Sequence, residues 1–445
     1  MTELWPDFEG ATLSYISRPP SEAWQRERPR SLVILGSTGS IGRSALAVIE
    51  AHRAEFRVVG LSCGGNARAL AAQAMQFRPP FLAVADNATA AALRRLLPMG
   101  YTPAILTGGD GYAQLASLPE AATVLSAQAG AAGLAGTLAA ALAGKVICLA
   151  NKESLVMAGD TVREICSRTN AAILPVDSEH NAIFQCVAGR GQNIRSLVLT
   201  ASGGPFFGKN SEYLRHVTRE QALNHPNWRM GAKISIDSAT MMNKGLEIVE
   251  AFHLYGIPAS GIRVLVHPQS VVHSLAELND GTLLALMGAA DMRLPLAHCL
   301  LWPRCARAGA AGLDLAAIER LTFHAPDAKT FPCLDLARQA IEERNGLCIV
   351  MNAANEEAVR LFLEGGCSFA DIAQLTDAAM KKHRKNCPGE GAAYCPPLRT
   401  EGGPEMHTEL AREVREVAGR IEHLDLASRA FVRELAKSNH GAKTC

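Results

Sequence analysis

A glycine-rich turn near the start of the chain limits the folds that are open to it. The turn covers residues 36–42, follows the short apolar run 31–35, and leads into a helical pattern over residues 43–52. Its glycines have the spacing G-x-x-G-x-x-G, a variant of the usual dinucleotide-binding fingerprint. Glycines let a backbone approach a pyrophosphate, and a helix N-terminus offers free N–H groups with a partial positive charge. The pattern predicts a strand, a nucleotide-binding turn and a helix; the alternative is a tight turn without a ligand.

The alternation of short apolar runs with alanine- and leucine-rich helical segments continues to about residue 176. After the first run, strands are predicted at Phe56–Ser62, at Phe81–Val84 and at residues 124–127, 146–150 and 173–176. Strands separated by helices of this length indicate βαβ units and a parallel sheet. We therefore predict an α/β fold whose N-terminal, Rossmann-like domain covers residues 31–176, after a polar extension of residues 1–30.

The pattern changes beyond residue 176. Strands are predicted at residues 196–200, 264–266, 270–277 and 283–286, with longer connections between them. They indicate a central α+β domain over residues 177–301, which is followed by an irregular, proline-containing linker at 302–327. The remaining residues, 328–445, are predicted to form a helical domain. Within it, residues 388–404 have the glycine and proline content of a loop. Apolar residues then recur every three or four positions from Leu410 to Leu424, as in an amphipathic helix.

Charge and composition exclude several classes of protein. The chain has 445 residues, and 44 Lys and Arg against 43 Asp and Glu leave a net charge of +1. Such a chain has no long-range attraction to nucleic acid or to an anionic membrane. The uncharged segment 121–144 has the length of a membrane span, but alanine and glycine gain little from lipid, so a buried helix is favoured. Twelve scattered cysteines, and a first segment unlike a signal or transit peptide, predict a cytoplasmic protein with reduced thiols.

The residues after the second predicted strand indicate which dinucleotide is bound. NAD-binding sites commonly place an acidic residue there to hold the ribose 2′-hydroxyl. Here the chain reads Gly64, Gly65 and Asn66, and Arg68 follows. An acid would repel a 2′-phosphate, whereas Arg68 would attract it. The sequence therefore favours NADP(H).

Acidic residues follow two of the predicted strands. Glu153 belongs to the cluster Asn151-Lys152-Glu153-Ser154, although helix caps often look the same. Asp177 and Glu179 are two positions apart, and in extended geometry their carboxylates point to one side. A hard divalent cation such as Mg²⁺ or Mn²⁺ would relieve their repulsion. The alternative is a solvated loop that caps a helix.

Further polar residues of interest lie between residues 202 and 250. Glu247 and Glu250 share one face of a predicted helix and offer a third carboxylate. Three residue types that hold phosphate come shortly before them, at Ser238, Asn243 and Lys244. The turn Ser202-Gly203-Gly204 offers a hydroxyl and backbone donors to the same anion. His225 and Trp228 lie in an irregular polar segment suited to a lid, although an isolated histidine is more often structural.

In this order and combination, the segments resemble the 1-deoxy-D-xylulose 5-phosphate reductoisomerase family. The resemblance covers about residues 31–375, and the matching segments are residues 36–42, 149–155, 174–185, 200–206, 225–231, 233–250, 267–274, 291–295 and 352–359. It implies a Rossmann-like NADPH-binding domain, a central catalytic domain with a flexible flap, and a C-terminal helical domain. It also implies a homodimer.

The resemblance assigns roles to individual residues. NADPH would contact Thr38, Gly39, Ser40, Ile41, Gly64, Gly65, Asn66, Asn151, Glu153 and Gly231. A divalent cation (Mg²⁺, Mn²⁺ or Co²⁺) would be held by Asp177, Glu179 and Glu247. The phosphorylated substrate would be held by Lys152, Ser178, Glu179, Ser202, His225, Ser238, Asn243, Lys244 and Glu247, with Ser202, Ser238, Asn243 and Lys244 around its phosphate. The catalytic group would be Lys152, Glu153, Asp177, Glu179, His225 and Glu247, and the flap would include Trp228 and Met230.

The resemblance also implies an activity. It is the metal-dependent rearrangement of 1-deoxy-D-xylulose 5-phosphate and its reduction by NADPH to 2-C-methyl-D-erythritol 4-phosphate, a step of non-mevalonate isoprenoid synthesis. The chain departs from the family at Gly65, where a lysine is common, and we expect Arg68 to take part of that role. One alternative is a simple NADP-dependent dehydrogenase of a phosphorylated substrate, which does not need three carboxylates. The other is a non-catalytic NADP-binding regulator, which has no reason to keep them together with Lys244.

Overall fold

The computed structural model describes residues 15–188, 193–228, 230–387, 398 and 406–443. Its largest sheet has seven strands: β1 (Arg30–Leu35), β2 (Phe56–Ser62), β3 (Phe81–Val84), β4 (Ala104–Thr107), β5 (Thr123–Ser126), β6 (Val146–Leu149) and β7 (Ala172–Pro175). The order is β4-β3-β2-β1-β5-β6-β7, and every neighbouring pair is parallel. The predicted Rossmann-like sheet is confirmed. Because the strand order reverses between β1 and β5, a crevice opens at their carboxyl ends.

Helices connect these strands as the alternation predicts. They are α1 (Glu22–Arg26), which precedes the sheet, and α2 (Ser40–Ala51), α3 (Ala67–Phe77), α4 (Asn87–Leu96), α5 (Gly108–Ser117), α6 (Leu134–Leu142) and α7 (Lys152–Thr169). The apolar pattern does not predict β4, because this four-residue edge strand has no buried residue. The strand predicted at residues 124–127 is confirmed as β5, whereas the buried helix also expected over residues 121–144 is wrong in its first half, because the α-helix begins only at Leu134. No helix in the described part of the chain is long and apolar enough to span a membrane.

A second sheet of four strands follows. It consists of β8 (Ile194–Ala201), β9 (Ile262–Val266), β10 (Val272–Leu278) and β11 (Leu283–Met287), in the order β11-β10-β8-β9. The helices around it are α8 (Ser178–Val187), α9 (Ser211–Leu214), α10 (Arg219–Leu223), α11 (Ala232–Ala239), α12 (Met242–Tyr255), α13 (Arg293–Leu301) and α14 (Leu315–Ile318). All four predicted strands are present, with ends that move by up to two residues. Helix α8 packs against β10 and β11, and α12 packs against α7, so both helices lie beside the edge of the first sheet.

The C-terminal part is helical, as predicted. Its helices are α15 (Cys333–Glu343), α16 (Leu347–Glu364), α17 (Phe369–Asn386) and α18 (Met406–Lys443). The apolar residues of α18 from Leu410 to Leu424 are buried, and α16 lies between α17, α18 and α7. The loop predicted over residues 388–404 lies outside the described residues apart from Leu398. The predicted borders between the domains stay a prediction.

The described end of the predicted N-terminal extension is packed against the rest of the chain. The backbone N–H of Ile16 donates to Leu254 O at 3.0 Å, and its carbonyl accepts from Ile173 N at 3.1 Å. Trp24 is buried and donates through Nε1 to Thr123 Oγ1 at 2.9 Å. The Arg30 guanidinium lies 3.5 Å from the centre of the Trp24 ring. Although the extension is polar in composition, its few apolar residues therefore contribute to the core.

Candidate active site

A cavity of about 550 Å³ lies between the carboxyl edge of the first sheet and the second sheet. It brings together residues that are far apart in the sequence. The predicted site residues that line it are Ser40, Ile41, Lys152, Asp177, Ser178, Glu179, Ser202, His225, Trp228, Met230, Gly231, Ser238, Asn243, Lys244 and Glu247. One cavity is thus lined by all of the predicted metal, substrate and flap residues and by part of the predicted cofactor turn.

The glycine-rich turn lies at the crevice between β1 and β5. Gly36 has φ +78°, and a Cβ there would lie 2.5 Å from Ala127 O, just after β5. A Cβ on Gly42 would lie 2.5 Å from Gly36 O, so both positions exclude a side chain. Gly39 caps α2, and Ser40 in its first turn lines the cavity. The N-terminus of α2 therefore faces the place where the fold leaves room for a dinucleotide.

The other predicted cofactor residues lie outside the lining of the cavity. Gly64, Gly65 and Asn66 are exposed after β2, which is paired with β1, and the Asn66 side chain caps α3. Arg68 is exposed in the first turn of α3. Thr38 and Gly39 belong to the glycine-rich turn beside them. This group therefore occupies the carboxyl ends of adjacent strands, where the adenosine part of a dinucleotide binds in such folds.

Asp177, Glu179 and Glu247 form the carboxylate cluster. Each offers an oxygen that lies within 4.8 Å of those of the other two. The extended geometry predicted for the first two is wrong, because β7 ends at Pro175 and Asp177 is the N-cap of α8. Glu179 lies in the first turn of that helix, and Glu247 reaches the cluster from α12. Three carboxylates at this spacing fit a hard divalent cation that prefers oxygen ligands.

Two buried lysines neutralise the cluster. Lys152 Nζ lies 2.7 Å from Asp177 Oδ2 and 3.3 Å from Glu247 Oε1. Lys244 Nζ lies 2.8 Å from Glu179 Oε1 and also pairs with Glu247. Burial and the charge of Glu179 raise the pKa of Glu247 to about 7, against the opposite effect of Lys244. Burial also opposes ionisation of Asp177, but the Lys152 ammonium holds the pKa of this carboxyl well below its usual range.

Ser202 and His225 are joined by a hydrogen bond at the end of β8, in the turn that the sequence predicts to bind an anion. His225 Nδ1 accepts from the backbone N–H groups of Asn227 at 3.2 Å and Trp228 at 3.0 Å, so the ring proton resides on Nε2. Nε2 then donates to Ser202 Oγ at 2.9 Å. Burial lowers the pKa of His225, which favours the neutral ring. Gly204 has φ +67°, and a Cβ there would lie 2.7 Å from Ser238 O, so the turn packs directly on the helix that carries Ser238.

The flap segment contributes Trp228 and Met230 to the lining of the cavity. Its Trp228 ring is half-buried and lies 6.4 Å, centre to centre, from the ring of His273. Asn227 Nδ2 donates to Ser270 Oγ at 2.8 Å, which holds the segment against the loop before β10. The segment ends at Gly231, the N-cap of α11. Trp228 and Met230 therefore lie where a lid over a ligand would close.

Asn151 and Glu153 are buried beside the cavity rather than in its lining. Asn151 caps α7, and the two hydrogens of its Nδ2 are shared among three acceptors, Gln128 O at 2.8 Å, Gly130 O at 2.9 Å and Glu153 Oε2 at 3.0 Å. The cap that the sequence leaves as an alternative for this cluster is thus present. Lys233 Nζ lies 3.0 Å from Glu153 Oε1. Their contacts with a cofactor stay a prediction.

Sequence reasoning assigns no role to several residues that the fold brings to this site. His273 and Asp291 line the cavity. Both lie in segments that match the family, and this match is the sequence feature that could have identified them as site residues. Lys233 and Asp237 lie under the flap end and form an ion pair at 2.8 Å. The spacing of four on a helix is the only sequence sign of that pair.

Three features together define a class of protein: the seven-stranded parallel sheet, the glycine-rich turn at its switch point, and the carboxylate cluster beside the predicted anion-binding turn. It is a dinucleotide-dependent oxidoreductase with a divalent-metal centre. Three family models match the chain. The model for 1-deoxy-D-xylulose 5-phosphate reductoisomerase matches residues 32–159, and the model for the 1-deoxy-D-xylulose 5-phosphate reductoisomerase C-terminal domain matches residues 173–255. A third model, for the DXP reductoisomerase C-terminal domain, matches residues 287–394. The chain belongs to the 1-deoxy-D-xylulose 5-phosphate reductoisomerase family.

Individual relatives agree with this assignment. The 1-deoxy-D-xylulose 5-phosphate reductoisomerase of Oleidesulfovibrio alaskensis is 58% identical over 370 residues, which are 83% of this chain and 91% of the relative. A crystal structure of DOX-P reductoisomerase in complex with NADPH, fosmidomycin and magnesium is 42% identical, with a TM-score of 0.79 over 89% of this chain and 99% of that one. The Zymomonas mobilis enzyme in complex with NADPH is 37% identical, with a TM-score of 0.80 over 92% of this chain and 100% of that one.

Proposed function

We propose that the chain converts 1-deoxy-D-xylulose 5-phosphate to 2-C-methyl-D-erythritol 4-phosphate with NADPH and Mg²⁺ or Mn²⁺. One observation carries the proposal: the carboxylate cluster, the anion-binding turn and the start of α2 line a single cavity. A simple dehydrogenase needs the cofactor turn and an anion site but not three clustered carboxylates. A non-catalytic regulator needs neither the anion site nor the clustered carboxylates.

The residues divide into three proposed groups. Thr38, Gly39, Ser40, Ile41, Gly64, Gly65, Asn66, Asn151, Glu153 and Gly231 would bind NADPH. Asp177, Glu179 and Glu247 would hold the divalent cation, which when bound supplies Lewis-acid stabilisation of the negative charge that develops on substrate oxygens. Ser202, Ser238, Asn243 and Lys244 would hold the phosphate, and Lys152 and Ser178 the sugar oxygens.

The chain's own groups then orient the substrate and protect it. A neutral His225 donates through Nε2, so it orders the Ser202 hydroxyl within the phosphate site. The Lys152 ammonium lies among Asp177, Glu247 and Asn243, with Asn243 Oδ1 at 2.8 Å, and so links the carboxylate cluster to the phosphate-binding residues. The flap, when closed, would exclude water from reactive fragments and from the hydride transfer.

Product analysis tests the proposal. The protein is incubated with 1-deoxy-D-xylulose 5-phosphate labelled with ¹³C, NADPH and diamagnetic Mg²⁺, and the carbon skeleton is followed by NMR. The proposal predicts a branched polyol phosphate in which a new C–C bond has formed. An unbranched reduced product would identify a simple dehydrogenase, and no consumption of NADPH would favour a binding protein.

We also propose a homodimer in the cytoplasm, with domains that meet near residues 176, 301 and 327. Six of the described cysteines are free thiols, as in proteins of a reducing compartment: Cys63, Cys148, Cys166, Cys299, Cys305 and Cys333. Sedimentation of the purified protein tests the dimer. A monomer at working concentration would contradict it.

A further inference from the structure

A line of polar side chains, buried except for the partly exposed Lys233, connects the start of α7 with α11 and then with α16. At its centre, Lys233 Nζ lies 3.0 Å from Glu153 Oε1 and 2.8 Å from Asp237 Oδ2. Asp237 Oδ1 in turn accepts from Asn355 Nδ2 at 2.8 Å. Glu153, Asp237 and Asn355 are all buried. The line thus joins the sheet that would bind the cofactor, the helix after the flap and the C-terminal helices.

Two donors fix the orientation of the Glu153 carboxylate. Lys233 binds Oε1, and Asn151 Nδ2 donates to Oε2 at 3.0 Å. Asn151 is itself held by the backbone carbonyls of Gln128 and Gly130. A buried carboxylate is costly unless both of its oxygens are satisfied. Burial opposes its ionisation, yet the Lys233 ammonium lowers the pKa of Glu153, so the charged form is the one held in place.

Lys233 also fixes the start of α11, where the flap ends. It lies two residues after Gly231, the N-cap of this helix, and pairs with Asp237 one turn further along. Glu356 of α16 contributes a further negative charge near Lys233. Arg429 of α18 holds the Glu356 carboxylate at 2.6 Å. The segment 352–359, which matches the family without an assigned role, therefore stabilises the Lys233 ammonium through the negative charge of Glu356.

We propose that Lys233 is a positioning residue for NADPH, which holds the Glu153 carboxylate and the first turn of α11 in a fixed relation supported by α16. This inference rests on the proposed function for the contact between Glu153 and NADPH. A salt bridge that only stabilises the fold would leave the affinity for NADPH unchanged once the protein is folded. The two roles therefore differ in a measurable way.

The test is the dissociation constant of NADPH, measured by calorimetry with no substrate present, together with kcat and the KM for NADPH. Lys233→Met is expected to weaken NADPH binding roughly tenfold, the scale of one hydrogen bond between charged groups. Lys233→Arg, which keeps the charge and can reach both carboxylates, is expected to restore most of the affinity. The matched control is Lys381→Met, which removes an exposed pair with Asp377, also four residues apart on a helix, at 2.6 Å. It should change nothing.

A second variant covers the case in which Lys233→Met does not fold. Lys233→Met/Asp237→Asn removes a cation and an anion together, so no uncompensated charge remains on α11, and the loss of NADPH affinity should be the same. In a Glu153→Gln background, the Lys233 substitution should have little further effect, because the two residues act through one contact. A folded Lys233 variant with a lower Tm and normal NADPH affinity would overturn the inference. A wild type that binds NADPH but does not convert the substrate would overturn only the proposed function.

Discussion

Replacing Glu247 by glutamine is expected to weaken Mn²⁺ binding and to abolish its pH dependence. Burial and the nearby charge of Glu179 raise the pKa of Glu247 to about 7. The cation binds the ionised carboxylate, so a proton competes with it below that pH. The affinity of the wild type should therefore rise with pH and level off above the pKa. For one group with this pKa, the apparent dissociation constant at about pH 6 is roughly ten times that at about pH 8.

The assay is titration of Mn²⁺ into chelator-treated protein, followed by calorimetry at about pH 6, 7 and 8. Glu247→Gln should bind Mn²⁺ more than about 100-fold more weakly, beyond the usual cost of losing an outer-shell partner, and equally at each pH. Glu250→Gln is the matched control, since Glu250 is also buried on α12 but pairs with His180 at 3.1 Å. It should lower stability and keep the metal affinity. Equal wild-type affinity for Mn²⁺ at the lowest and highest pH would contradict proton competition at Glu247. Normal affinity in Glu247→Gln would contradict its role as a metal ligand.

Three further substitutions test other parts of the structure. Trp228→Ala removes the half-buried ring that lines the cavity, and we expect the substrate KM to rise roughly tenfold with a smaller change in kcat; unchanged constants would contradict the flap assignment. Arg68→Ala should lower the NADPH/NADH ratio of kcat/KM about tenfold, the scale of one charge-assisted hydrogen bond, whereas a constant ratio would exclude its role at the 2′-phosphate. Trp24→Ala removes a buried ring and its bond to Thr123, and should reduce the free energy of unfolding in urea by about 3–5 kcal/mol. No loss would show that residues 15–30 do not stabilise the fold.

Much of the first sheet is predictable because its physics is local. Strands β2 and β3 have the predicted bounds, since each is an apolar run that ends at a turn or helix cap. The edge strand β4 is not predictable in this way, because an edge position leaves its residues without the burial that produces an apolar pattern. The centre of the sheet poses the opposite difficulty. There β5 and α6 are both apolar, so the sequence predicts a strand at residues 124–127 and also a buried helix over residues 121–144, and periodicity alone does not decide where the strand ends and the helix begins.

The candidate site shows a similar division. The residue types of the carboxylate cluster are visible in the sequence, but their local geometry is not. A strand end and a helix N-cap use the same polar residues, and Asp177 is the cap rather than part of an extended segment. The line through Lys233 depends on pairs 80 and 118 residues apart, Lys233 with Glu153 and Asn355 with Asp237. Nothing in one sequence marks such partners, because their pairing follows from how α7, α11 and α16 pack.

We propose that conversion of the phosphorylated substrate requires a divalent cation held by Asp177, Glu179 and Glu247. The most direct measurement is NADPH oxidation with 1-deoxy-D-xylulose 5-phosphate after complete removal of metal by EDTA and dialysis, followed by return of Mg²⁺ or Mn²⁺. We expect no turnover in the metal-free protein, intact NADPH binding, and recovery of turnover when either ion is restored. Turnover that survives complete metal removal would contradict it.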